Sequence, residues 1–471
     1  MLKHNLPLKR DLLALLAAHG QEHLLAFWDA LGDSERESLA AEIRQIDFAL
    51  LARLRAGRAG GEDVRALADR AASPRAFRLG EGGDRFSPED ARQAGAEALQ
   101  AGRIGAMLVA GGQGTRLGSD RPKGMFPIGP VSGKSLFQWH AEKIVAVMRR
   151  YGTRLPWYVM TSPATHAATV EFLAQHGRFG FPAEDLCFFC QGTMPAVDRA
   201  SGRVLLAEPH QVALSPDGHG GMLAAFHHSG ALADARRRGV EHLFYFQVDN
   251  PLVDVCSAEF LGYHLLSGSE FSTQVVRKRE PLDRVGNVVE ADGRMRVIEY
   301  SDLPDEVARR RNPDGSLAIW AGSIAVHAME TAFLERMAGS AEALPFHSAF
   351  KKVAYVDSVG KRVEPEEPNA VKFERFIFDL MPAAQRAILV EIDPAEHFAP
   401  LKNAPGSKED SPEMVKARLV ALHARWLRQA GAEVAEGVDV EIGPLWALDA
   451  AEVARKLPPG TRITKPTYFG E

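Results

Sequence analysis

The sequence predicts an α/β protein: a mostly parallel sheet with helices on both faces, a helical N-terminal segment and a small β-rich C-terminal domain. Three observations carry this. From about residue 100 to 385, apolar runs of strand length alternate with stretches of helical length, the pattern of repeated strand–helix units. Residues 1 to about 75 place apolar and charged positions at helical spacing instead. After Pro382 the alternation gives way to short apolar runs. With 471 residues the chain is too long for one compact core. The expected segments are 1–95, 96–385 and 386–471.

Taken in order, Leu12-Leu13-x-Leu15-Leu16 and Leu24-Leu25-x-Phe27-Trp28 read as helices. Asp33-Ser34-Glu35-Arg36-Glu37 brings capping residues ahead of another, from Leu39 to about Leu54. Arg58-Ala59-Gly60-Gly61 and Gly80-Glu81-Gly82-Gly83 mark loops. This first segment is expected to brace the rest and to contribute no chemistry. Ile104 to Ala110 reads as a buried strand. Helices are expected over 135–150, 165–176 and 221–238, with strands Trp157–Met160 and Leu243–Val248 among them. Ile388–Ile392 reads as a strand, 411–430 as a helix, and Val438–Ile442 with Ile463 as short strands.

Composition excludes several function classes. The net charge of -5 argues against general nucleic-acid binding, which needs a basic face. Arg236-Arg237-Arg238 and Arg309-Arg310-Arg311 sit at expected helix ends, where arginines complement the dipole. Neither a secretory leader nor an apolar run of membrane-spanning length is read from the sequence, so a cytoplasmic location away from membranes is expected. Three cysteines in so long a chain fit a reducing compartment. Cys187 and Cys190 have redox-motif spacing but lie in an expected strand. There, positions three apart face opposite ways, which disfavours a disulfide or a shared zinc.

The most informative stretch is Leu108 to Gly124, LVAGGQGTRLGSDRPKG. A strand runs into Gly111, Gly112, Gly114 and Gly118, with Thr115, Arg116 and Lys123 among and after them. Glycines leave backbone N–H groups open to a polyphosphate, and Arg116 and Lys123 add positive charge. The dinucleotide fingerprint fails, because Leu117 stands where its last glycine belongs. A P-loop fails too: Gly129-Pro130-Val131-Ser132-Gly133-Lys134-Ser135 has three residues between its glycines, and Pro127 and Pro130 spoil the preceding strand. That stretch reads as a turn before a helix starting near Ser135.

Gly111 to Gly118 followed by Pro122-Lys123-Gly124 resembles the motif of eukaryotic-type UDP-sugar pyrophosphorylases, most closely the UDP-N-acetylhexosamine pyrophosphorylases. Further matches follow in order: Gly20-Gln21-Glu22-His23-Leu24-Leu25, Phe189-Cys190-Gln191-Gly192 and Pro216-Asp217-Gly218-His219-Gly220-Gly221. Then come Val248-Asp249-Asn250, Val297-Ile298-Glu299-Tyr300-Ser301, Lys372 through Asp379, and Pro400-Leu401-Lys402-Asn403-Ala404.

The resemblance implies a Rossmann-like nucleotidyltransferase fold that turns UTP and a hexose 1-phosphate into UDP-sugar and pyrophosphate, as a monomer or homodimer. The sugar phosphate attacks the α-phosphorus in line, a step that needs charge neutralisation and alignment more than covalent help. Arg116, Lys123 and Lys402 are the implied catalytic cations. Gly111, Gly112, Gly114, Thr115, Gln191 and Gly218 are the implied nucleotide contacts. His219, Gly286, Glu299, Ser323, Phe376 and Phe378 are the implied sugar contacts, and Asp249 is the implied ligand for Mg2+. On residue chemistry alone, Asp249 at a strand end fits a hard cation or a loop cap, and Gln191 fits a uracil edge or a backbone-satisfied strand glutamine. Phe376 and Phe378, alternating on an expected strand, fit a pocket wall or a core. The chain departs from the N-acetylhexosamine enzymes at two places. It has Trp320-Ala321-Gly322-Ser323 for their usual Asn-Ala-Gly-Asn, and His219 for their usual asparagine, where glucose-using relatives tend to have histidine. N-acetylglucosamine 1-phosphate is the favoured substrate, with glucose 1-phosphate or relaxed specificity as the alternative. A non-catalytic sugar-nucleotide sensor and a purine-using nucleotidyltransferase are the competing classes.

Overall fold

The computed structural model describes residues 2–57, 64–79, 85–340 and 344–471, with side chains from residue 7 onward. The two expected glycine loops, Arg58–Gly61 and Gly80–Gly83, lie outside the described residues. Two compact units share the chain. The smaller is built from Met1–Glu62, Gln191–Met222 and Glu342–Asp379, the larger from Asp63–Cys190, Leu223–Ala341 and Leu380–Glu471. These units cut across the expected boundaries 1–95, 96–385 and 386–471. Periodicity marks an element but does not say which distant element covers its apolar face.

In the larger unit a nine-stranded sheet forms the frame. In chain order its strands are β1 Ile104–Val109, β2 Trp157–Thr161, β3 Leu186–Cys190, β4 His242–Gln247, β5 Phe271–Arg277, β6 Gly286–Ala291, β7 Arg294–Ile298, β8 Ala321–Glu330 and β9 Ala387–Glu391. β4, β1, β2 and β3 run parallel side by side, and β9 runs parallel to β5. β8 runs antiparallel to β4, β5 and β6, and β7 antiparallel to β6. Strand β1 is buried almost throughout, as a central strand covered on both faces requires. Ser135 caps the helix Leu136–Tyr151 by accepting from the Gln138 N–H, and Ser411 caps Pro412–Gln429 in the same way. Toward the C-terminus, Glu433–Val434 pairs in parallel with Arg462–Ile463, and Val440–Ile442 with Thr467–Phe469.

Two expected helices are each broken. The first is Asp33–Gln45 then Phe48–Arg55, because Asp47 leaves the helical conformation and caps the second half by accepting from the Leu50 N–H at 2.8 Å. The second is Met222–His228 then Ala231–Arg237, divided at Gly230. In the smaller unit the N-terminal helices bury Leu12, Leu16, Leu24, Trp28, Leu39 and Ile43 in one core with Val197, Val204 and Phe373. Cys187 and Cys190 are free thiols on β3, as the strand reading expected, and burial pushes both up from the ordinary thiol range. No helix among the described residues is long and apolar enough to cross a membrane.

Buried and half-buried histidines make the fold acid-sensitive. Burial, reinforced by the charge of Lys143, pushes His140 and His423 down to about 3, and the enclosure of half-buried His219, with His347 nearby, pushes it down to about 4. Each is neutral when folded yet protonates in the unfolded chain below about pH 6.5. Their stabilisation is therefore complete above that pH and is lost as pH falls toward 4, by about 1.4 kcal/mol per pH unit for each histidine. The urea midpoint is expected to be lower at pH 5 than at pH 7; an equal or higher midpoint at pH 5 contradicts this account.

Candidate active site

Parallel pairing sets the geometry of the expected phosphate side. β1 and β4 are adjacent, with Val109 opposite Gln247, so the loop after β1 and Asp249 after β4 emerge together. This is the strand-end crevice expected of such a sheet. The loop is closed by two cross-links: Lys123 N–H donates to Gly112 O at 3.0 Å, and Gly114 N–H to Arg121 O at 2.8 Å. Ser162, just beyond β2, donates to Gly111 O at 2.7 Å. Thr115 and Arg116 lie exposed in a short helical turn at the loop's far end. A Cβ placed on Gly112 would meet nothing within 4 Å, which leaves its backbone open to a ligand.

Lys123, Asp249 and the backbone leading to Lys402 converge. The Lys123 ammonium stands 3.6 Å from the Asp249 carboxylate and donates to Leu401 O at 3.3 Å. Leu401 N–H in turn donates to Asp249 O at 2.8 Å. The buried amide of Asn250 holds the two segments together. It donates to His397 O at 2.8 Å, and its oxygen accepts from the Ala399 and Leu252 N–H groups. Lys402 follows directly and is exposed.

Asp410 is a member that sequence reasoning missed. Its carbonyl accepts from the Lys402 and Asn403 N–H groups at 2.9 and 3.1 Å. Burial raises its carboxyl pKa, against the opposing charges of Lys402 and Arg418 and with Asp249 adding repulsion. In the sequence it reads as an ordinary acid ahead of the Ser411 cap. Among the described residues there is no group of three or more His, Cys, Asp or Glu side chains that could enclose a metal. A cation here would have Asp249 as its protein ligand and take its other ligands from phosphate oxygens and water, a set that suits Mg2+.

The expected sugar-side residues fall into two groups. Gly286 opens β6 opposite Ser323 of β8, and the Glu299 carboxylate lies 3.5 Å from where a Gly286 Cβ would be. All three are partly exposed. Because β8 runs antiparallel to β4, with His327 opposite Tyr245 and Glu330 opposite His242, Ser323 lies toward the same edge as Asp249. Trp320 is on the opposite face of the strand from Ser323. The Arg78 guanidinium covers its ring at 3.7 Å, so its bulk does not enter the Ser323 face.

The second group belongs to the smaller unit. Gly218 has a φ of +83°, and a Cβ there would come within 2.4 Å of Arg375 O, so only glycine fits. Gln191 is buried, and its neighbour Gly192 accepts from the Asp217 N–H at 3.1 Å. Arg375 pairs with the Asp217 carboxylate. The His219 ring stacks on Phe376 at 5.3 Å and meets Phe378 at 5.6 Å. Phe376 and Phe378 do not alternate on a strand as expected. The strand ends at Glu374 and a 3-10 helix starts at Ile377, yet the two rings stack at 5.1 Å. The Ile377 N–H donates to His219 Nδ1 at 3.3 Å. The neutral ring therefore carries its proton on Nε2.

The sequence profile described as UTP–glucose-1-phosphate uridylyltransferase matches residues 87–425. The chain belongs to this family. It is thus a nucleotidyltransferase of the UDP-sugar pyrophosphorylase kind, a class that forms UDP-sugar and pyrophosphate from UTP and a sugar 1-phosphate. It is similar to the UDP-N-acetylglucosamine pyrophosphorylase of Saccharomyces cerevisiae, 40% identical over 355 residues and 74% of each chain. It is also similar to the human UDP-N-acetylhexosamine pyrophosphorylase-like protein 1, 38% identical over 90% of this chain and 86% of that one. The fold matches the crystal structure of the Trypanosoma brucei UDP-N-acetylglucosamine pyrophosphorylase in complex with an inhibitor, with a TM-score of 0.81, 24% identity, and coverage of 97% of this chain and 98% of that one.

The Asn250 tie has a measurable consequence for this pyrophosphorylase family member. Asn250→Ala leaves the His397 carbonyl and two buried N–H groups without their partner, and is expected to cost about 2 kcal/mol or more of stability. Amide exchange at Ala399 and Leu401 is expected to accelerate relative to the β1 amides. Unchanged exchange there would show that Asn250 does not hold the segment bearing Lys402.

Proposed function

We propose that the chain transfers a uridylyl group from UTP to a hexose 1-phosphate, preferring N-acetylglucosamine 1-phosphate without excluding the other common hexose phosphates. The observation that carries this reading is the convergence of Lys123, Asp249 and the segment leading to Lys402 at the ends of two paired parallel strands. Such a cluster meets the main demand of phosphoryl chemistry, neutralising charge around an in-line displacement.

In this reading the loop from Gly111 to Gly114, through the open backbone of Gly112, receives the triphosphate together with Thr115. Arg116 and Lys123 stabilise the departing pyrophosphate and the α-phosphate. Lys402 orients the phosphate of the incoming sugar. That phosphomonoester is already a nucleophile, so no general base is assigned. Asp249 would hold Mg2+, which would supply further positive charge around the phosphate oxygens. Gln191 and Gly218 are assigned to the uridine, Gln191 through its paired donor and acceptor.

Sugar preference rests on what His219 and Ser323 present. The relatives named above are N-acetylhexosamine enzymes by their names, which favours that sugar. His219, held neutral with its Nδ1 occupied by the Ile377 N–H, offers one donor where an asparagine offers a donor and an acceptor. Ser323 is shorter than the amide it replaces. Losing polar contacts to a sugar weakens discrimination rather than reversing it outright.

Lys123→Ala and Arg116→Ala are each expected to lower kcat by about a hundredfold or more. Asp249→Ala and excess chelator are each expected to abolish most turnover. Near-normal rates in folded lysine and arginine variants would remove the phosphate-loop assignment, and full activity in chelator would remove the metal. With UTP and Mg2+, the kcat/KM values for glucose, N-acetylglucosamine and N-acetylgalactosamine 1-phosphates are expected to differ by less than ~10³-fold. A stricter preference overturns the relaxed specificity, and turnover with ATP or GTP but not UTP overturns the uridine assignment.

A further inference from the structure

The stretch Gly129–Ser135, which falls short of a P-loop by one residue, nonetheless binds an anion. That anion is the chain's own Glu441. The Val131 and Ser132 N–H groups donate to Glu441 Oε2 at 2.7 and 2.8 Å, and the Ser132 hydroxyl donates to Oε1. Glu441 is completely buried. Gly129 is required for this approach: a Cβ there would stand 2.4 Å from Ser132 Oγ and 3.1 Å from Glu441 Oε1.

A second anchor lies on the neighbouring strand, directly opposite. Glu441 is in register with Tyr468 across the paired strands Val440–Ile442 and Thr467–Phe469. Lys134 donates to the Tyr468 hydroxyl and to the Glu142 carboxylate. Burial disfavours the Lys134 ammonium, but these two hydrogen bonds outweigh it and hold its pKa above the usual value. Two side chains from neighbouring C-terminal strands thus grip the same turn at both ends.

The gripped turn is the tip of a hairpin whose base carries Lys123. Ile128 N–H donates to Lys134 O at 2.8 Å, and Leu136 N–H donates to Phe126 O at 3.0 Å. Phe126 N–H donates to Lys123 O at 3.0 Å. We infer that Glu441 is a positioning residue for Lys123, acting from the C-terminal segment through this hairpin. The inference rests on the assignment of Lys123 proposed above. An apolar contact would dock the C-terminal strands at least as firmly as a buried carboxylate. What the carboxylate adds is a fixed orientation of the two N–H groups, and so of the backbone that leads to the lysine.

The test compares Glu441→Ala, Lys123→Ala and the double variant in the full-length protein. In folded Glu441→Ala, kcat is expected to fall about tenfold while KM for UTP and sugar phosphate stays within about twofold, since the groups remain present but misplaced. Formate at about 100 mM, a carboxylate small enough for the vacated turn, is expected to restore at least half of the loss. The double variant is expected to be no slower than Lys123→Ala alone, because the two act as one unit. An unchanged kcat, or a loss that is additive with Lys123→Ala and indifferent to formate, overturns the positioning role. A near-normal rate in Lys123→Ala overturns the lysine assignment and the positioning role with it, a result distinct from failure of Glu441 alone. Should Glu441→Ala not fold, Ser132→Ala removes one donor to Glu441, and the weaker acceptor of the Lys134 N–H, while keeping both N–H groups on the carboxylate. It is expected to show a loss of about threefold with the same lack of additivity; additivity there overturns the inference.

Discussion

The parallel register between β1 and β4 is the constraint on which the phosphate side depends. Parallel neighbours deliver their carboxyl ends to the same edge, so the loop after one strand and the carboxylate after the other need no further device to meet. Ala106 opposite Phe244 and Leu108 opposite Phe246 are buried pairs. A slip of one residue would turn these side chains to the other face. The same slip would draw Asp249 out of reach of Lys123. Core packing and placement of charge are therefore one requirement here.

Much of this was legible in the sequence, where local rules and tertiary structure agree. Ser135 and Ser411 announce their helices because a cap is a short-range interaction, and both caps form. The strand before Gly111 and the strand before Asp249 carry enough consecutive apolar residues to be recognised without a partner. What escaped depends on distant chain. Asp410 looks like any loop acid until the fold brings it beside Lys402 and Asp249. Glu441 alternates with apolar residues, as a solvent-facing strand position would, and gives no hint that it will meet residue 131. The stacked pair Phe376 and Phe378 looked like strand alternation, but a strand end and a 3-10 turn produce the contact instead.

The residues assigned to phosphate in the larger unit and those around His219 in the smaller unit differ in kind. The charged residues assigned to phosphate are partly or fully exposed, with the Lys123 ammonium 3.6 Å from the Asp249 carboxylate. The His219 environment offers a neutral imidazole between aromatic rings, shielded by its enclosure from gaining a proton.

The make-up of the smaller unit, from Met1–Glu62, Gln191–Met222 and Glu342–Asp379, bears on how the protein is born. Its N-terminal helices share their core with Val197, Val204 and Phe373, all of which are synthesised much later. At ribosomal speeds, Leu12, Leu16, Leu24 and Ile43 wait on the order of tens of seconds before Phe373 exists to cover them. The nascent chain therefore carries an uncovered apolar helix surface through most of its translation, a standing demand on chaperones that a consecutive domain order would have avoided.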